Sequence, residues 1–529
     1  MPGTASQLAE SAAHEAASRG ALLARGAFFN TIAFLSSNLR GIFTFLIARL
    51  LGSEALGIFG IAWATMDLTS KFGVLGLDQS AVAFVAKCEA VGDRAGSRRI
   101  KQAALRISIW SSVLVAGVGS FFVWKVGPRF IPRPEVSRAI AVILFAIPGV
   151  ALYRVSNALS RGMAIMHHDI YSRGLTESLG TAAALLLAIL AGMRQFAPEM
   201  AAIGGTLASG LVAFTLMRHL FIPLPSSGAV SDADLIPKLL RNSAPIAVYD
   251  FLNIGLMHLD VLILGAFVGR APGVTLETVG IYAAAVQLSG GLRKVSQIFT
   301  PIFAPIIAPK ISAGKIPEAE QSFGYLARWM LALLLPAVAV FALSGTALMT
   351  IFGPGFARGG SWVAILAVAC ATNAFVSLGE TILMIDRPHI NLVNSAIALA
   401  TAVGLCLLLI PVLGPLGAAL GILAPYCVHG LLRGIEITHL LHWRWPWRAM
   451  LKPWWAALAP LPFSLLVRLC WPGPIFEIAA ALLYLAGYFV MWRIIGLDPT
   501  DRDIVDHLFK KKAAASAAPT RKFRPRTTR

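Results

Sequence analysis

EALGIFGIAWATMDLTSK, residues 54–71, and ETVGIYAAAVQLSGGLRK, residues 277–294, are two apolar runs that each open on Glu and close on Lys. Glu54, Gly57, Ile58 and Lys71 fall on Glu277, Gly280, Ile281 and Lys294 at a constant offset of 223 residues. The same ungapped offset carries Lys87 onto Lys310. The chain is therefore read as two copies of one unit, and the rest of the sequence says what kind of unit that is.

Of the 529 residues, 57% are hydrophobic and 13% charged, and the mean hydropathy is +0.73. Soluble domains carry roughly a quarter charged residues, so this chain cannot cover the surfaces of several soluble domains. A helix crossing the hydrocarbon core needs about 20 apolar residues. Fourteen candidate helices follow, over 27–50, 56–86, 103–127, 139–160, 174–193, 199–221, 243–268, 278–308, 326–350, 362–385, 391–411, 415–440, 451–471 and 475–495. The second and eighth are too long for a straight crossing, so tilt, a kink or an interfacial extension is expected in each. Gly73 and Gly76 are the soft points of the second, and Pro301, Pro305 and Pro309 supply kinks in the eighth. The short alternating segments of a membrane barrel are missing. Six helices in each copy make an even number, so the copies share one orientation, as in parallel transporter repeats with a site near the midplane between them. The fold class is an all-α polytopic membrane protein: two six-helix lobes as parallel pseudo-repeats, plus two C-terminal helices. The expected organisation is an N-terminal tail 1–26, an N-lobe 27–221, a linker 222–242, a C-lobe 243–440, the helix pair 451–495 and a basic tail 496–529.

The net charge of +19, from 45 Lys and Arg against 26 Asp and Glu, needs locating before it is interpreted. With the N-terminus placed in the cytoplasm, the tails and the loops after even-numbered helices hold 32 basic residues and the opposite loops 9. Basic loops remain cytoplasmic, so both termini are expected inside. Most of the charge is then topology, and nucleic acid is excluded as its explanation. The exception is the basic, Pro-rich outer loop Lys125 to Arg138. The first 25 residues lack an apolar core and do not read as a cleavable signal peptide. Five scattered cysteines without C-x-x-C spacing suggest neither disulfides nor zinc. No G-x-x-x-x-G-K-[ST] or G-x-S-x-G pattern supports ATP hydrolysis or that esterase chemistry. No cofactor, metal or catalytic residue is expected.

Four basic residues remain at membrane depth by this count: Arg40, Lys71, Arg293 and Lys294. Intramembrane charge is costly and lines a cavity or finds a partner. Asp67, Lys71 and Asp78 fall within about 40° of one another on the second helix. Helix one carries Asn30, Asn38 and Arg40; helix seven carries Asp250, Asn253 and Asp260; helix eight carries Gln287, Arg293 and Lys294. These are corresponding helices of the two copies, so a net cationic cavity between the lobes is expected. Arg and Lys bind phosphate oxygens through charge-assisted hydrogen bonds. Arg40, Lys71, Arg293 and Lys294 are thus candidates for a pyrophosphate, and Asn30, Asn38, Asn253 and Gln287 for sugar hydroxyls. Asp67, Asp78 and Asp260 are candidate acids for coupling to H+ or Na+. The plainer readings are an intrahelical Asp67–Lys71 pair, an Asp260 that holds its lobe together through an Arg, and a His258 that only packs. The Trp443–Trp455 segment, with Arg444 and Arg448, reads as an interfacial belt.

Arg25-Gly26-Ala27, Ala48-Arg49-Leu50-Leu51-Gly52 and Glu54-Ala55-Leu56-Gly57-Ile58-Phe59 resemble the first helices of the Wzx-type polysaccharide-repeat-unit flippases. So do Asp260-Val-Leu-Ile-Leu-Gly265 with Val279-Gly280-Ile281-Tyr282, and Ile410-Pro411 with Gly414 and Gly417-Ala418-Ala419. The family belongs to the multidrug/oligosaccharidyl-lipid/polysaccharide exporter superfamily, and the resemblance covers roughly 25–440. It implies a MATE-like V of two lobes with alternating access, and an undecaprenyl-pyrophosphate-linked oligosaccharide as cargo in exopolysaccharide biosynthesis. It further implies the bacterial inner membrane, with membrane lipid and polysaccharide polymerase or export machinery as partners. Related lipid II flippases use cavity arginines for the pyrophosphate, and by position the resemblance makes Arg40 and the Arg293/Lys294 pair the candidates here. The alternatives are a multidrug antiporter of the same fold and a membrane polymerase, ligase or glycosyltransferase. The short outer loops argue against an enzyme.

Overall fold

The computed structural model describes residues 39–131, 133–221 and 232–496, and every regular element among them is helical. Twelve segments are long and apolar enough to cross a membrane. The first, Gly41–Val91, folds back at Gly52 (φ 89°, ψ 179°), and the rings of Phe43 and Phe59 meet edge to face at 5.3 Å across the turn. A straight helix would separate those two positions by about 24 Å, so this segment holds two helices that pack side by side. Leu276–Arg293 and Ser296–Ser312 together make one more, which brings the principal helices among the described residues to fourteen. They are α1 (40–51), α2 (53–91), α3 (Arg94–Phe130), α4 (134–162), α5 (167–190), α6 (Ala197–Arg218) and α7 (Asp232–Ala266). Then come α8 (276–312), α9 (Ile316–Met349), α10 (Gly360–Asp386), α11 (Pro388–Leu413), α12 (Pro415–Leu441), α13 (447–470) and α14 (Pro474–Met491). Residues 232–242, read from the sequence as linker, continue α7 as helix.

The two overlong helices are both broken, for different reasons. In α2 the break falls at Leu75 and Gly76, with φ of 55° and 70°. Gly76 is required there twice over. Its backbone is left-handed, and a Cβ would lie 2.6 Å from Ser243 O and 2.8 Å from Ala247 N of α7. In α8 the prolines do not make the break. It falls at Lys294–Val295, and Pro301, Pro305 and Pro309 sit within the continuous helix Ser296–Ser312. A proline strips the hydrogen bond from the carbonyl four residues earlier, so their effects begin at residue 297, past the interruption. The weak point is Gly290–Gly291, two poor helix formers, after which the Lys294 N–H turns back to Gly291 O and Leu292 O.

The apolar cores divide unevenly between the two ends of the bundle. At the Gly52 end one cluster joins both lobes, from Phe43, Ile47, Leu56 and Ile61 to Leu264, Val279, Ile281 and Tyr282. At the other end the cores separate. One gathers Val74, Leu77, Val85, Ile100 and Leu159 of the N-lobe, with Leu239 of α7. Another gathers Phe303, Phe323, Met330, Leu378 and Ile437 of the C-lobe. The final pair, α13 and α14, leans on α9: the Tyr488 hydroxyl donates to Ala332 O at 2.7 Å. Glu477 accepts from the Ala347 N–H at 2.8 Å, three residues past the helix irregularity at Ser344. The Trp segment is not a uniform belt. Trp447, Trp454 and Trp455 are exposed, whereas Trp443 is buried and, with Trp445, packs edge-on against Phe323 of α9.

Candidate functional site

α2 faces the opposite lobe along its length, and the contact changes character on the way. Near the turn it is made of glycine and backbone. Gly57 and Gly280, equivalent in the repeat, lie against each other. A Cβ on Gly280 would fall 1.7 Å from Ser53 O, and one on Gly57 would fall 2.1 Å from Leu276 O. The next equivalent pair, Gly60 and Ala283, also meets, with 3.1 Å from a Cβ at Gly60 to that of Ala283. Residues that touch their own repeat partners lie on the symmetry axis, so the pseudo-twofold passes between α2 and α8 here. Gly265 leaves room for Ile61 in the same region, 2.8 Å from where its Cβ would be.

Asp67 lies about 15 Å beyond Gly57 along α2, and from there polar pairs join the interface beside the Phe72–Phe251 ring contact at 5.0 Å. Lys71 Nζ is 3.1 Å from Asp250 Oδ2 of α7, and the other Asp250 oxygen accepts from Gln79 Nε2 at 3.3 Å. Asp67 Oδ2 is 3.1 Å from His258 Nε2 of α7, and Asp67 Oδ1 accepts from Arg154 Nη2 of α4 at 2.9 Å. Arg154 Nη1 is also 3.9 Å from Asp78 Oδ2, so one guanidinium grips α2 on both sides of its break. Past the break, the hydroxyls of Ser80 and Ser243 are 2.5 Å apart. Lys71 and Asp250 keep only 8% and 13% of their side-chain surface exposed. Charges this shielded are stabilised by their partners, and removing one partner from a buried pair costs about 3–5 kcal/mol.

The arrangement is one-sided although the lobes are repeats. The repeat positions matching Asp250 and Asp67 are Ala27 and Gly290, which carry no charge. On the other side of the axis α1 meets α8 through Gly41 and Gln287, whose Nε2 would be 3.7 Å from a Cβ at Gly41. The paired charges therefore sit on the α2–α7 side, where Asp67, Asp78 and Asp250 oppose Lys71, Arg154 and His258.

The other residues singled out in the sequence are dispersed. Arg293 Nη2 points into the C-lobe, 3.5 Å from Cys370 Sγ of α10, while its neighbour Lys294 ends the first segment of α8 and is half-buried. Asp260 is buried inside the C-lobe and accepts from the Tyr282 hydroxyl at 2.9 Å. Its partner is thus a tyrosine rather than an arginine. Asn253 donates to Tyr249 O of its own helix at 3.0 Å. Asn30, Asn38 and the Arg40 side chain lie outside the described residues. Among the described residues no group of three or more His, Cys, Asp or Glu is gathered as a metal site.

Arg154 is what sequence reasoning missed. It is the one cation within the fourth predicted helix, yet the charge count assigned it to the loops, together with Arg328 and Arg433. Both of those are buried inside helices, at 3% exposure each. The usable signal was position: a lone cation well inside an apolar span needs an acid on a neighbouring span. His258, read as packing, also belongs to the network through Asp67.

The comparisons agree with this architecture. A profile of the family described as polysaccharide biosynthesis protein matches residues 23–313. No curated protein matches the chain. Among solved structures, a lipid II flippase MurJ in its inward closed conformation superposes with a TM-score of 0.70 at 13% identity, over 90% of this chain and 99% of that one. An inward-facing multidrug resistance MATE family transporter of the MOP superfamily gives 0.59 at 13% identity, over 77% and 94%. A eukaryotic MATE transporter gives 0.58 at 12% identity, over 78% and 93%.

Proposed function

The chain belongs to the polysaccharide biosynthesis protein family, and we propose that it flips an undecaprenyl-pyrophosphate-linked oligosaccharide across the bacterial inner membrane by alternating access of its two lobes. The observation that carries this reading is the set of charge pairs between α2 and α7 at the end of the bundle where the cores are separate. Lobes that share a large core at one end, and at the other meet through ion pairs, the Ser80–Ser243 hydrogen bond and smaller apolar contacts of α7, can part at the second end without exposing that large core. Parting there frees Lys71 from Asp250 and leaves Lys71 and Arg154 facing the gap. A pyrophosphate entering between the lobes supplies new anionic partners for both, with Arg40, Arg293 and Lys294 as further cations along the way. Asn253, Gln287, Asn30 and Asn38 provide hydrogen bonds for sugars. In this reading the basic loops and both termini are cytoplasmic, so the paired end opens inward. A proton or sodium gradient or the membrane potential supplies the drive, and a polysaccharide polymerase receives the cargo outside.

The test uses proteoliposomes with labelled undecaprenyl-diphospho-oligosaccharide and measures its appearance on the far leaflet. Lys71→Ala is expected to lower the rate at least tenfold. An unchanged rate in Lys71→Ala would overturn the reading. The three carboxylates Asp67, Asp78 and Asp250 favour a second reading, a multidrug antiporter of the same fold, because cations seek such groups. Efflux of an organic cation by the same vesicles, without movement of the oligosaccharide, would establish that one instead.

A further inference from the structure

α9 (Ile316–Met349) is interrupted twice, and the C-terminal helix pair meets it at both places. The first interruption is Pro336. It has no N–H to offer Ala332 O, four residues earlier. That carbonyl accepts instead from the Tyr488 hydroxyl of α14 at 2.7 Å, and Tyr488 is buried. The second interruption is Ser344, whose φ of −116° and ψ of 21° leave the helical range. Ser344 and Gly345 form a Ser–Gly pair, a usual place for a helix to kink. Two backbone groups of the turn that straddles it are bonded from outside the helix. Ala342 O accepts from Arg468 Nη1 of α13 at 2.5 Å, and the Ala347 N–H donates to Glu477 Oε2 of α14 at 2.8 Å. Arg468 and Glu477 also face each other, 3.8 Å apart. Backbone groups freed at a break inside a membrane have to find partners on neighbouring helices. For α9 those partners come from α13 and α14.

The repeat bears this out. The N-lobe equivalent of α9 is α3, which has Val113 and Phe121 where α9 has Pro336 and Ser344. Neither interrupts a helix, and both are exposed, at 47% and 66%. Among the described residues, the interruptions and the helix pair that bridges them therefore occur together, in one lobe.

The far end of α9 leads to the other lobe. Its last turns are wedged against α10, where a Cβ on Gly345 would lie 2.4 Å from Gly360 O. The loop that follows touches α1. Ile351 O accepts from Arg49 Nε at 2.8 Å, and the rings of Phe352 and Phe45 are 6.3 Å apart. This is the Gly52 end, where the lobes share their large core. The bend at Ser344 thus sets where the loop meets the N-lobe.

We propose that α13 and α14 form a splint that fixes the bend of α9 and, through it, holds the lobes together at the Gly52 end. Tyr488, Arg468 and Glu477 are its positioning residues. Without them α9 straightens at Ser344, Ile351 and Phe352 leave Arg49 and Phe45, and the Gly52 end parts more readily. The inference rests on the alternating access of the proposed function and does not depend on what the cargo is.

The experiment places spin labels, through an unnatural amino acid, at Met193 of the N-lobe and Val412 of the C-lobe, both exposed near the Gly52 end. It measures the distance between them without substrate. Glu477→Leu is expected to raise the minor population at long distance about threefold over wild type. Glu477→Gln, which keeps an acceptor for the Ala347 N–H, is expected to retain wild-type distances. Tyr488→Phe, a milder change, is expected to shift the distribution in the same direction as Glu477→Leu. Pro336→Ala restores an N–H to Ala332 O, so Pro336→Ala/Tyr488→Phe is expected to return to wild-type distances. A Tyr488 that merely packs would lose as much in either background. Wild-type distances in both Glu477→Leu and Tyr488→Phe, or a Tyr488→Phe shift that Pro336→Ala does not reverse, would overturn the proposal. If the distances respond as expected while labelled oligosaccharide stays put in wild-type vesicles, the flippase reading fails and this inference stands.

Discussion

Lys71 shows how little a residue's own helix says about its partner. Asp67 lies one turn away on α2, yet Lys71 pairs across the interface with Asp250, while Asp67 is taken by Arg154 and His258. Replacing Asp250 with Asn should lower stability in detergent by about 3–5 kcal/mol, because a buried ammonium loses its counter-charge. The double variant Lys71→Met/Asp250→Leu should recover most of that loss, and thermal unfolding of both singles and the double would show it. Additive losses would mean that the pair is not coupled. Arg154→Lys should fail to substitute. One ammonium cannot reach Asp67 and Asp78 on both sides of the α2 break as the guanidinium fork does. A melting temperature for Arg154→Lys equal to wild type would contradict this.

At the scale of elements, the breaks in α2 and α8 define what can move. Gly76 allows the second part of α2 to leave the axis of the first and lie against Ser243 and Ala247. Gly76→Ala adds about 1–2 kcal/mol of backbone strain and puts a methyl into α7. It should push the end of α2 away from α7 and lower the yield of any cross-link between them. Gly280→Ala, at the axis, should cost about 1–3 kcal/mol through overpacking, since its Cβ has no room beside Ser53 O. Equal melting temperatures for Gly280→Ala and wild type would show that the axis contact yields to a methyl group. That both helices had to tilt, kink or extend along the interface was legible from their length. The position in α8 was not, because Gly290–Gly291 outweighs the three prolines downstream.

Across the whole molecule, one end of the bundle is held by a large shared apolar core, and the other by polar pairs beside smaller apolar contacts of α7. The Ser80 and Ser243 hydroxyls, 2.5 Å apart, offer a direct test of that division. A Ser80→Cys/Ser243→Cys variant, in a background without reactive native thiols, should form a disulfide that stops transport, with activity returning on reduction. Full transport in the oxidised form would show that the lobes do not part at this end.

The sequence by itself determined the number of crossings, the doubling of the fold and the family. These depend on long runs of apolar residues and on a register of 223 residues that survives without knowledge of any contact. It also marked Asp67, Lys71, Asp78, Asp250 and His258 as polar groups at membrane depth. Only the tertiary structure decided which of them meet, because partners on α2, α4 and α7 are brought together by lobe packing rather than by helical spacing. The same packing turned Asp260 and Arg293 into their own lobe. Hydropathy measures the cost of placing a charge in a membrane helix. Which neighbour offsets that cost is a property of three dimensions.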